Sequence, residues 1–270
     1  MRITIHHRTH YRYSTALVHS AQYLRLSPYT NPSQRVVSWR IDAPGQLTPW
    51  TDGFGNLCHT LVVERPGTEI EIVASGRVDT TDTSGVLPAV EGGLPLEAFL
   101  RPTALTRANA RVRDFAAGFA DRIRADRLRG LHALMAGIRE RVDYRTGTTH
   151  VHSTAADVLA DGAGVCQDHA HVFIACCRAL GVPARYVSGY LYAGEGGGEY
   201  PASHAWAGAW IDDLGWVSFD VANTVCGTDR HIGAAMALDY AGAAPVRGIR
   251  NGGDADEDLQ VAVRVEASQQ

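Results

Sequence analysis

The sequence predicts an α+β fold in two parts, and three patterns support this. Short runs of alternating apolar and polar residues fill the first 80 residues, as expected for half-buried antiparallel strands. Apolar residues then recur at three-to-four spacing, which indicates amphipathic helices. A continuously apolar helix follows and leads into three more strand-like runs. We therefore expect an N-terminal antiparallel β-domain over residues 1–80, a linker over 81–103, and a domain of helix plus antiparallel sheet over 104–270 with a C-terminal β segment.

The N-terminal strands are predicted from runs of β-branched, aromatic or alternating residues. These runs are Arg2–Ile5, Tyr11–Tyr13, Val36–Ile41, His59–Val63 and Glu69–Val73. Residues 52–56 (Asp-Gly-Phe-Gly-Asn) carry turn-forming types between two of them. Residues 81–103 are rich in Thr, Gly and Pro and show no period, so they indicate a linker.

Two amphipathic helices are expected between Ala108 and Val142. Ten arginines and five acidic residues lie between Arg107 and Arg145. We interpret this excess as the solvated faces of the helices and not as a nucleic-acid surface. A short helix should begin at Thr154, where Asp157 completes a capping box.

The segment from Val165 to Leu180 is apolar nearly all round, so it predicts a buried central helix. Gly164 precedes this helix, and Gly181 and Pro183 end it. Its apolar character places it at the centre of the second domain, with the strands after it packed alongside.

Cys166 lies in the first turn of that helix. Unpaired N–H groups and the helix dipole at this position favour a thiolate over a thiol, and the same groups could hold an oxyanion. Most free cysteines are simply small buried apolar residues, and that interpretation suits Cys176 and Cys177. The position of Cys166 favours a nucleophile.

A thiolate nucleophile needs an imidazole beside it and an acceptor that orients the imidazole. Among 12 histidines, His169 lies three residues after Cys166 on the same helix, where a core histidine is an equal possibility. His204 begins one strand-like run and Asp220 ends the next. If the hairpin turn centres on Asp212, His204 lies opposite Asp220 on one sheet face, and a shift of one residue would separate them.

A zinc site is a weak alternative. Cys166, His169 and Cys177 share one helix and cannot close around a single metal, and no spaced Cys-x-x-Cys pair occurs in the chain. We expect neither a metal nor a cofactor.

Composition narrows the class of protein further. A net charge of −4 and a pI near 6.3 argue against a dedicated nucleic-acid binder. The longest apolar run, Val172–Cys177, is far shorter than the ~20 residues of a membrane helix. Five scattered cysteines and no signal-like N-terminal segment predict a cytoplasmic location. All 25 basic residues are arginines, so the chain has no side-chain primary amine.

Several segments resemble the transglutaminase-like superfamily, and in particular its bacterial cysteine-protease branch. In the second domain they are Gly164–His171, Arg178–Tyr190, His204–Trp206 and Gly215–Asp220; in the first they are His7–Tyr13, Gln22–Pro28 and Asp52–Asn56. The resemblance implies a papain-like fold for the second domain. It also implies Cys166 as nucleophile, His204 as base and Asp220 as orienting acceptor.

The sequence departs from that branch at three points. Val221 follows Asp220 where proline is common, Gly208 stands where an acidic residue is common, and no arginine precedes Asp239. None of these changes removes Cys166, His204 or Asp220, but each bears on which substrate is used.

The expected function is cleavage of peptide or carboxamide bonds through a Cys166 thioester, with a peptide or protein amide as substrate and neither nucleic acid nor membrane as partner. One alternative is a transglutaminase-type amine acyltransferase, and another is a non-catalytic peptide-binding or scaffold module. Trp206 and Tyr200 are the expected substrate-binding residues. Tyr200 belongs to a glycine-rich loop, Ala193–Ala202, that should border the cleft.

Overall fold

The computed structural model describes residues 1–88, 93–194, 203–251 and 255–267, which form two large antiparallel sheets and a set of helices. The strands are β1 (Arg2–Ser27), β2 (Gln34–Asp42), β3 (Gln46–Thr51), β4 (Leu57–Thr80), β5 (Val86–Leu87), β6 (Asp143–Tyr144), β7 (Ala163–Gly164), β8 (Ala184–Leu191), β9 (His204–Ile211), β10 (Gly215–Asp220), β11 (Val225–Cys226), β12 (His231–Ala237), β13 (Val246–Asn251) and β14 (Glu257–Ala267). The helices are α1 (Ala110–Ala117), α2 (Ala120–Ala125), α3 (Arg127–Arg141), α4 (Ala155–Asp161), α5 (Cys166–Ala179) and α6 (Tyr240–Ala243), with a 3-10 turn at Leu96–Leu100. The expected α+β class is confirmed.

The first sheet is built on β1 and β4, two strands of 26 and 24 residues that pair along most of their length. Its strand order is β13-β1-β4-β2, with β14 also on β1 and β3 also on β4. Register shifts between Arg12 and His19 interrupt β1. Because a bulge bends and twists a strand, β1 pairs with β14 before this point and with β13 after it.

The C-terminal strands belong to this first sheet. The sequence pattern assigns residues 104–270 to the second domain together with their C-terminal β segment. In the structure, β14 pairs with β1 from Ile3 to Tyr13, and β13 pairs with it from His19 to Leu24. Local alternation predicts that a strand forms but carries no information about its distant partner, and so the pairing could not be predicted.

The second sheet has the order β11-β10-β9-β8-β12, with β5 from the predicted linker on β10. One of its faces packs against α5 in a continuous apolar core. Buried members of this core from the sheet include Ala184, Tyr186, Ala207 and Phe219, and those from α5 include Phe173, Cys176 and Cys177. The central helix predicted from the apolar run is thereby confirmed. No helix within the described ranges is long and apolar enough to cross a membrane.

The β9–β10 hairpin turns one residue later than the sequence predicts. Ile211 pairs with Gly215, so the turn centres on Asp213 and not on Asp212. Asp213 has a φ of 68°, in the left-handed region that aspartate tolerates better than most residues. The expected register is therefore wrong by two residues along the partner strand.

This shift preserves the functional prediction. Continuing the observed register sets Asp220 opposite Trp206, where His204 was expected. Because side chains alternate with a period of two, a displacement of two residues returns Asp220 to the face that His204 occupies. The two side chains meet diagonally across the strands.

The two sheets pack directly on each other through a third apolar cluster. It combines residues of the first sheet (Ile3, Ile5, Val78, Val263 and Val265) with residues of the second (Tyr190, Ile232 and Ala234). Two side-chain amides form hydrogen bonds across the same contact. Gln34 exchanges two 2.8 Å hydrogen bonds with the backbone of Gly233, and Asn56 does the same with Met236 at 2.7 and 2.8 Å. These amides satisfy backbone groups of β12 and so tie the N-terminal part of the chain to the second sheet.

A polar chain through His7 crosses this contact. Tyr190 Oη donates to the Leu26 carbonyl at 3.2 Å, so it accepts a hydrogen bond from His7 Nδ1, also at 3.2 Å. His7 Nε2 then accepts from the Thr9 hydroxyl at 3.2 Å. Burial, with a smaller effect from the nearby His6, lowers the pKa of His7 to about 4.

Acidification should therefore destabilise the fold. Below pH 6.5 His7 is protonated in the unfolded chain, but in the folded chain it stays neutral down to about pH 4. The free energy of unfolding therefore falls as the pH drops through this window. The loss amounts to ~3 kcal/mol for this histidine. We expect His7→Gln to lower the Tm at pH 7.5 but to reduce the further fall in Tm between pH 7.5 and 5. The exposed His6→Gln serves as control and should follow the unmodified chain. Equal pH slopes for both variants would contradict this account.

Candidate active site

Cys166 is the first residue of α5, and the chain around it is fixed by a carboxylate. Asp168 Oδ2 accepts hydrogen bonds from the Val165 amide at 2.8 Å and from the Thr149 hydroxyl at 2.6 Å. A Cβ at position 164 would lie 2.7 Å from Asp168 Cβ, so only glycine fits there. The half-buried thiol thus stands at a helix start, where the Asp168 amide donates to the Val165 carbonyl at 3.0 Å and the N–H groups of Cys166 and Gln167 precede the first intrahelical bonds.

His204 and Asp220 are brought together as the sequence predicts. His204 Nε2 lies 2.7 Å from Asp220 Oδ2, and the carboxylate is fully buried. Asn223 donates to the same oxygen from its side chain at 2.7 Å and to Oδ1 from its backbone at 3.3 Å. Because Nε2 of His204 bonds to Asp220, Nδ1 is the ring nitrogen that is left to interact with a second group.

A second histidine, His231, binds the same carboxylate and was not anticipated. Its Nε2 lies 3.0 Å from Asp220 Oδ2. Its Nδ1 accepts the Thr228 amide at 3.1 Å, so Nε2 carries the proton and donates to Asp220. His231 is the first residue of β12, and only the pairing of β12 with β8 brings it here. The one available signal was its position at the start of a strand-like run.

The negative charge of Asp220 and the positive charge of His204 stabilise each other. Burial raises the pKa of Asp220, but hydrogen bonds from His204 and His231 hold it well below its usual range. Burial lowers the pKa of His204, but its hydrogen bond to Asp220 and its interactions with the charge of Asp220 and with the nearby Cys166 raise it to about 10. His204 is therefore an imidazolium at neutral pH, paired with a carboxylate on one side and facing Cys166 on the other.

His169, the alternative partner on the helix, has a structural role. Its Nδ1 lies 2.8 Å from the Val165 carbonyl and its Nε2 lies 3.0 Å from the Val142 carbonyl. Nε2 also lies 3.4 Å from Arg139 Nη1, so both ring nitrogens have polar neighbours, and the ring is fully buried. It ties the start of α5 to the end of α3.

The two expected substrate-binding residues have different outcomes. Trp206 is buried and packs edge-on against His231, with ring centroids 5.3 Å apart, and it does not line the cleft of Cys166. Its contact with His231 indicates support of the Asp220 cluster, and its role in substrate binding stays a prediction. Tyr200 and residues 195–202 of the glycine-rich loop lie outside the described residues.

Donor atoms of His204, Asp220 and His231 lie within 4.8 Å of one another, a spacing that could hold a metal ion. The two N–O separations of 2.7 and 3.0 Å are those of hydrogen bonds. Two ligands of a tetrahedral zinc ion stand about 3.3 Å apart. We therefore interpret this cluster as a hydrogen-bonded network.

A cleft of about 270 Å³ opens over Cys166 and His204. The first sheet forms one wall of it, through His7, Thr9 and Tyr11 of β1, Val246 of β13, and Leu259 and Val261 of β14. No carboxylate or guanidinium occurs among the described residues that line it. The cleft is thus an uncharged, largely apolar channel beside a charged pair.

Comparisons with known proteins agree with this architecture. Residues 113–221 match the transglutaminase-like superfamily, and residues 3–79 match the bacterial transglutaminase-like N-terminal region. An uncharacterised protein of Mycobacterium leprae is 32% identical over 98% of both chains. A protein-glutamine gamma-glutamyltransferase of Pseudomonas aeruginosa is 31% identical over 47% of this chain, which is 22% of that protein.

A solved structure has the same fold. It is the crystal structure of a "Putative Cysteine Protease" from Cytophaga hutchinsonii, which covers 100% of this chain and 92% of its own with a TM-score of 0.77 at 23% identity. Together with the full-length relative and the two family matches, it leads to one conclusion. The chain belongs to the transglutaminase-like superfamily and carries the bacterial N-terminal region of that superfamily.

Proposed function

We propose that the protein is a cysteine-dependent acyl-transfer enzyme that cleaves peptide or carboxamide bonds through a thioester on Cys166. The observation that carries this proposal is the 2.7 Å hydrogen bond between His204 and a fully buried Asp220, in the same cleft as a cysteine at a helix start. A scaffold module would gain nothing from burying such an ion pair, since removing charges from water costs free energy.

In the first step, the Cys166 thiolate attacks the carbonyl carbon of the amide. A C–S bond forms, and the carbonyl electron pair moves onto oxygen. The N–H groups of Cys166 and Gln167 at the start of α5 hold the oxyanion, as preorganised donors do in acyl transfer.

In the second step, the imidazolium of His204 gives its proton to the departing nitrogen as the C–N bond breaks. This leaves an amine and a thioester on Cys166. Water then attacks the thioester while His204 takes one of its protons, and the acid leaves as the C–S bond breaks. Asp220 keeps the imidazole ring in one orientation throughout and stabilises its charged form.

His231 and Asn223 act through Asp220 and not on the substrate. Each donates to the carboxylate, at 3.0 and 2.7 Å respectively, and so fixes the direction of its oxygens. They are positioning residues in this proposal. Their donors also replace the hydrogen bonds from water that a carboxylate loses when it is buried.

Hydrolysis is our preferred outcome for the thioester. The protein from Cytophaga hutchinsonii, whose fold is the same, is described as a "Putative Cysteine Protease". Amine transfer needs a group that holds the amine against competition from water, and no carboxylate lines the described part of the cleft. The match to a gamma-glutamyltransferase favours transfer as the second candidate.

Iodoacetamide at neutral pH should alkylate Cys166 before the other thiols. Burial raises the pKa of Cys58 to about 11 and that of Cys176 to about 12, and it raises the pKa values of Cys177 and Cys226 as well. These thiols are therefore scarcely ionised at neutral pH. Peptide mass mapping of a quenched time course measures the order, with Cys166→Ala as control. Labelling of Cys58 or Cys226 at an equal rate would count against the proposed nucleophile.

Asp220→Asn should lower kcat/KM by on the order of 10²-fold or more, because the imidazole loses its orienting acceptor. It should also move the alkaline limb of the pH–rate profile to lower pH, since Asp220 contributes to raising the pKa of His204 to about 10. Asn223→Ala keeps the carboxylate and is the matched control. It should lose less activity, and the alkaline limb of its pH–rate profile should stay close to that of the unmodified protein. An alkaline limb that stays fixed in Asp220→Asn would show that Asp220 does not set the protonation of His204.

Acid should dominate over amide when the enzyme turns over an amide substrate in the presence of a millimolar primary amine. The reason is that the described cleft offers no anionic group to concentrate the amine. Product analysis by mass spectrometry gives the ratio directly, with Cys166→Ala as the blank. Saturable incorporation of the amine as the main product would make the protein an amine acyltransferase.

A further inference from the structure

Arg185 is a buried cation without an anionic partner. It lies on β8, is 8% exposed, and has no carboxylate within ion-pair distance among the described residues. Its Nη1 contacts the thioether sulfur of Met236 at 3.0 Å, and its Nε has no hydrogen-bond partner. Burial lowers its pKa to about 10, so it is still charged at neutral pH.

Arg178, seven residues earlier in the chain, shows how the same fold satisfies a buried guanidinium. Its Nε donates to the Phe99 carbonyl, its Nη1 to the Thr106 hydroxyl, and its Nη2 to the carbonyls of Ala184 and Leu238, all between 2.7 and 2.9 Å. Arg185 has only a weak acceptor in comparison, because a thioether sulfur accepts poorly.

The neighbouring strand explains why Arg185 lacks a partner. Arg185 pairs with Gly208 across the β8–β9 ladder, the position from which a side chain would face it. A Cβ at residue 208 would meet Arg185 Nε at 3.1 Å. What remains is a stacking contact with Trp216, whose ring centroid lies 4.2 Å from the guanidinium carbon. Stacking on an aromatic ring does not saturate the N–H groups in the guanidinium plane.

Arg185 borders a cavity of about 670 Å³ that shares no described lining residue with the cleft of Cys166. Aromatic rings supply much of the cavity wall: Tyr29, Phe54, Phe99, Trp210 and Trp216. The carboxylate among its described lining residues, Asp52, is already bound by Arg25 and by the amides of Phe54 and Asn56.

We propose that this cavity is a second binding site, separate from the Cys166 cleft, that takes an organic carboxylate with an aromatic body. The carboxylate would pair with the unsatisfied N–H groups of Arg185, since a guanidinium presents them in a fork that matches a carboxylate. The aromatic body would pack against Trp210, Trp216 and Phe99. The volume suits a small molecule or the end of a peptide.

The test uses the full chain and a pair of probes that differ only in charge, 3-phenylpropionate and 3-phenylpropanamide. The carboxylate should raise the Tm saturably, and the amide should not. Titration calorimetry should give a Kd that weakens at least tenfold in Arg185→Met, which keeps the apolar stem but removes the charge. Cys166→Ala should bind the carboxylate as the unmodified chain does, because the two sites share no described lining residue.

Gly208→Asp is the second variant, and it keeps the test decisive if Arg185→Met fails to fold. It places a carboxylate directly opposite Arg185, so it should raise the Tm without any ligand and abolish the response to 3-phenylpropionate. Glu91→Gln controls for an internal partner, since Glu91 lies outside the described residues; it should behave as the unmodified chain. The proposal is overturned if the unmodified chain responds to neither probe or equally to both, if Arg185→Met or Gly208→Asp retains the original affinity, or if the response appears only in Glu91→Gln.

Discussion

The site depends on one fully buried carboxylate. Asp220 has no solvent contact, so its charge is tolerated only because His204, His231 and Asn223 donate to it. Removing one partner of a buried ion pair typically costs about 3–5 kcal/mol. The cluster therefore ties catalytic geometry to folding, and His204 is held in its charged form as part of the same balance. In the proposed mechanism, that imidazolium is the proton donor that an amide leaving group requires.

This constraint also explains why the second sheet must be complete before the site exists. Asp220 ends β10, His204 begins β9 and His231 begins β12, so three strands contribute one side chain each. The helix that carries Cys166 then packs across the same sheet. No two neighbouring elements make the site alone, and the relative positions of all four are set by one apolar core.

The first sheet takes part in the site and is not an appendage. It shares a core with the second sheet, seals β12 through Gln34 and Asn56, and lines the cleft with β1, β13 and β14. Its side chains Tyr11, Val246, Leu259 and Val261 border the cleft over Cys166. In the proposed function, this wall selects the acyl group, and its lack of charged side chains among the described residues favours uncharged groups.

The sequence predicts those parts of the site that local pattern controls. The start of α5 could be placed at Cys166 because apolar periodicity and a flanking glycine mark it, and Asp220 could be placed on the face of His204 because strands alternate. Long-range pairing could not be predicted. For this reason the predicted register was wrong by two residues, the pairing of the C-terminal strands with β1 was not predicted, and His231 was not identified among the 12 histidines. The missing partner of Arg185 could not be predicted for the same reason, since only the β8–β9 register places Gly208 opposite it.

The central claim is that Cys166 forms an acyl-enzyme, and intact-protein mass spectrometry after mixing with a slowly deacylating activated ester tests it most directly. The account predicts one added acyl group per chain, mapped to Cys166, absent from Cys166→Ala and formed far more slowly in His204→Ala. An unmodified mass, or an acyl group on a different residue of the unmodified protein, would contradict it.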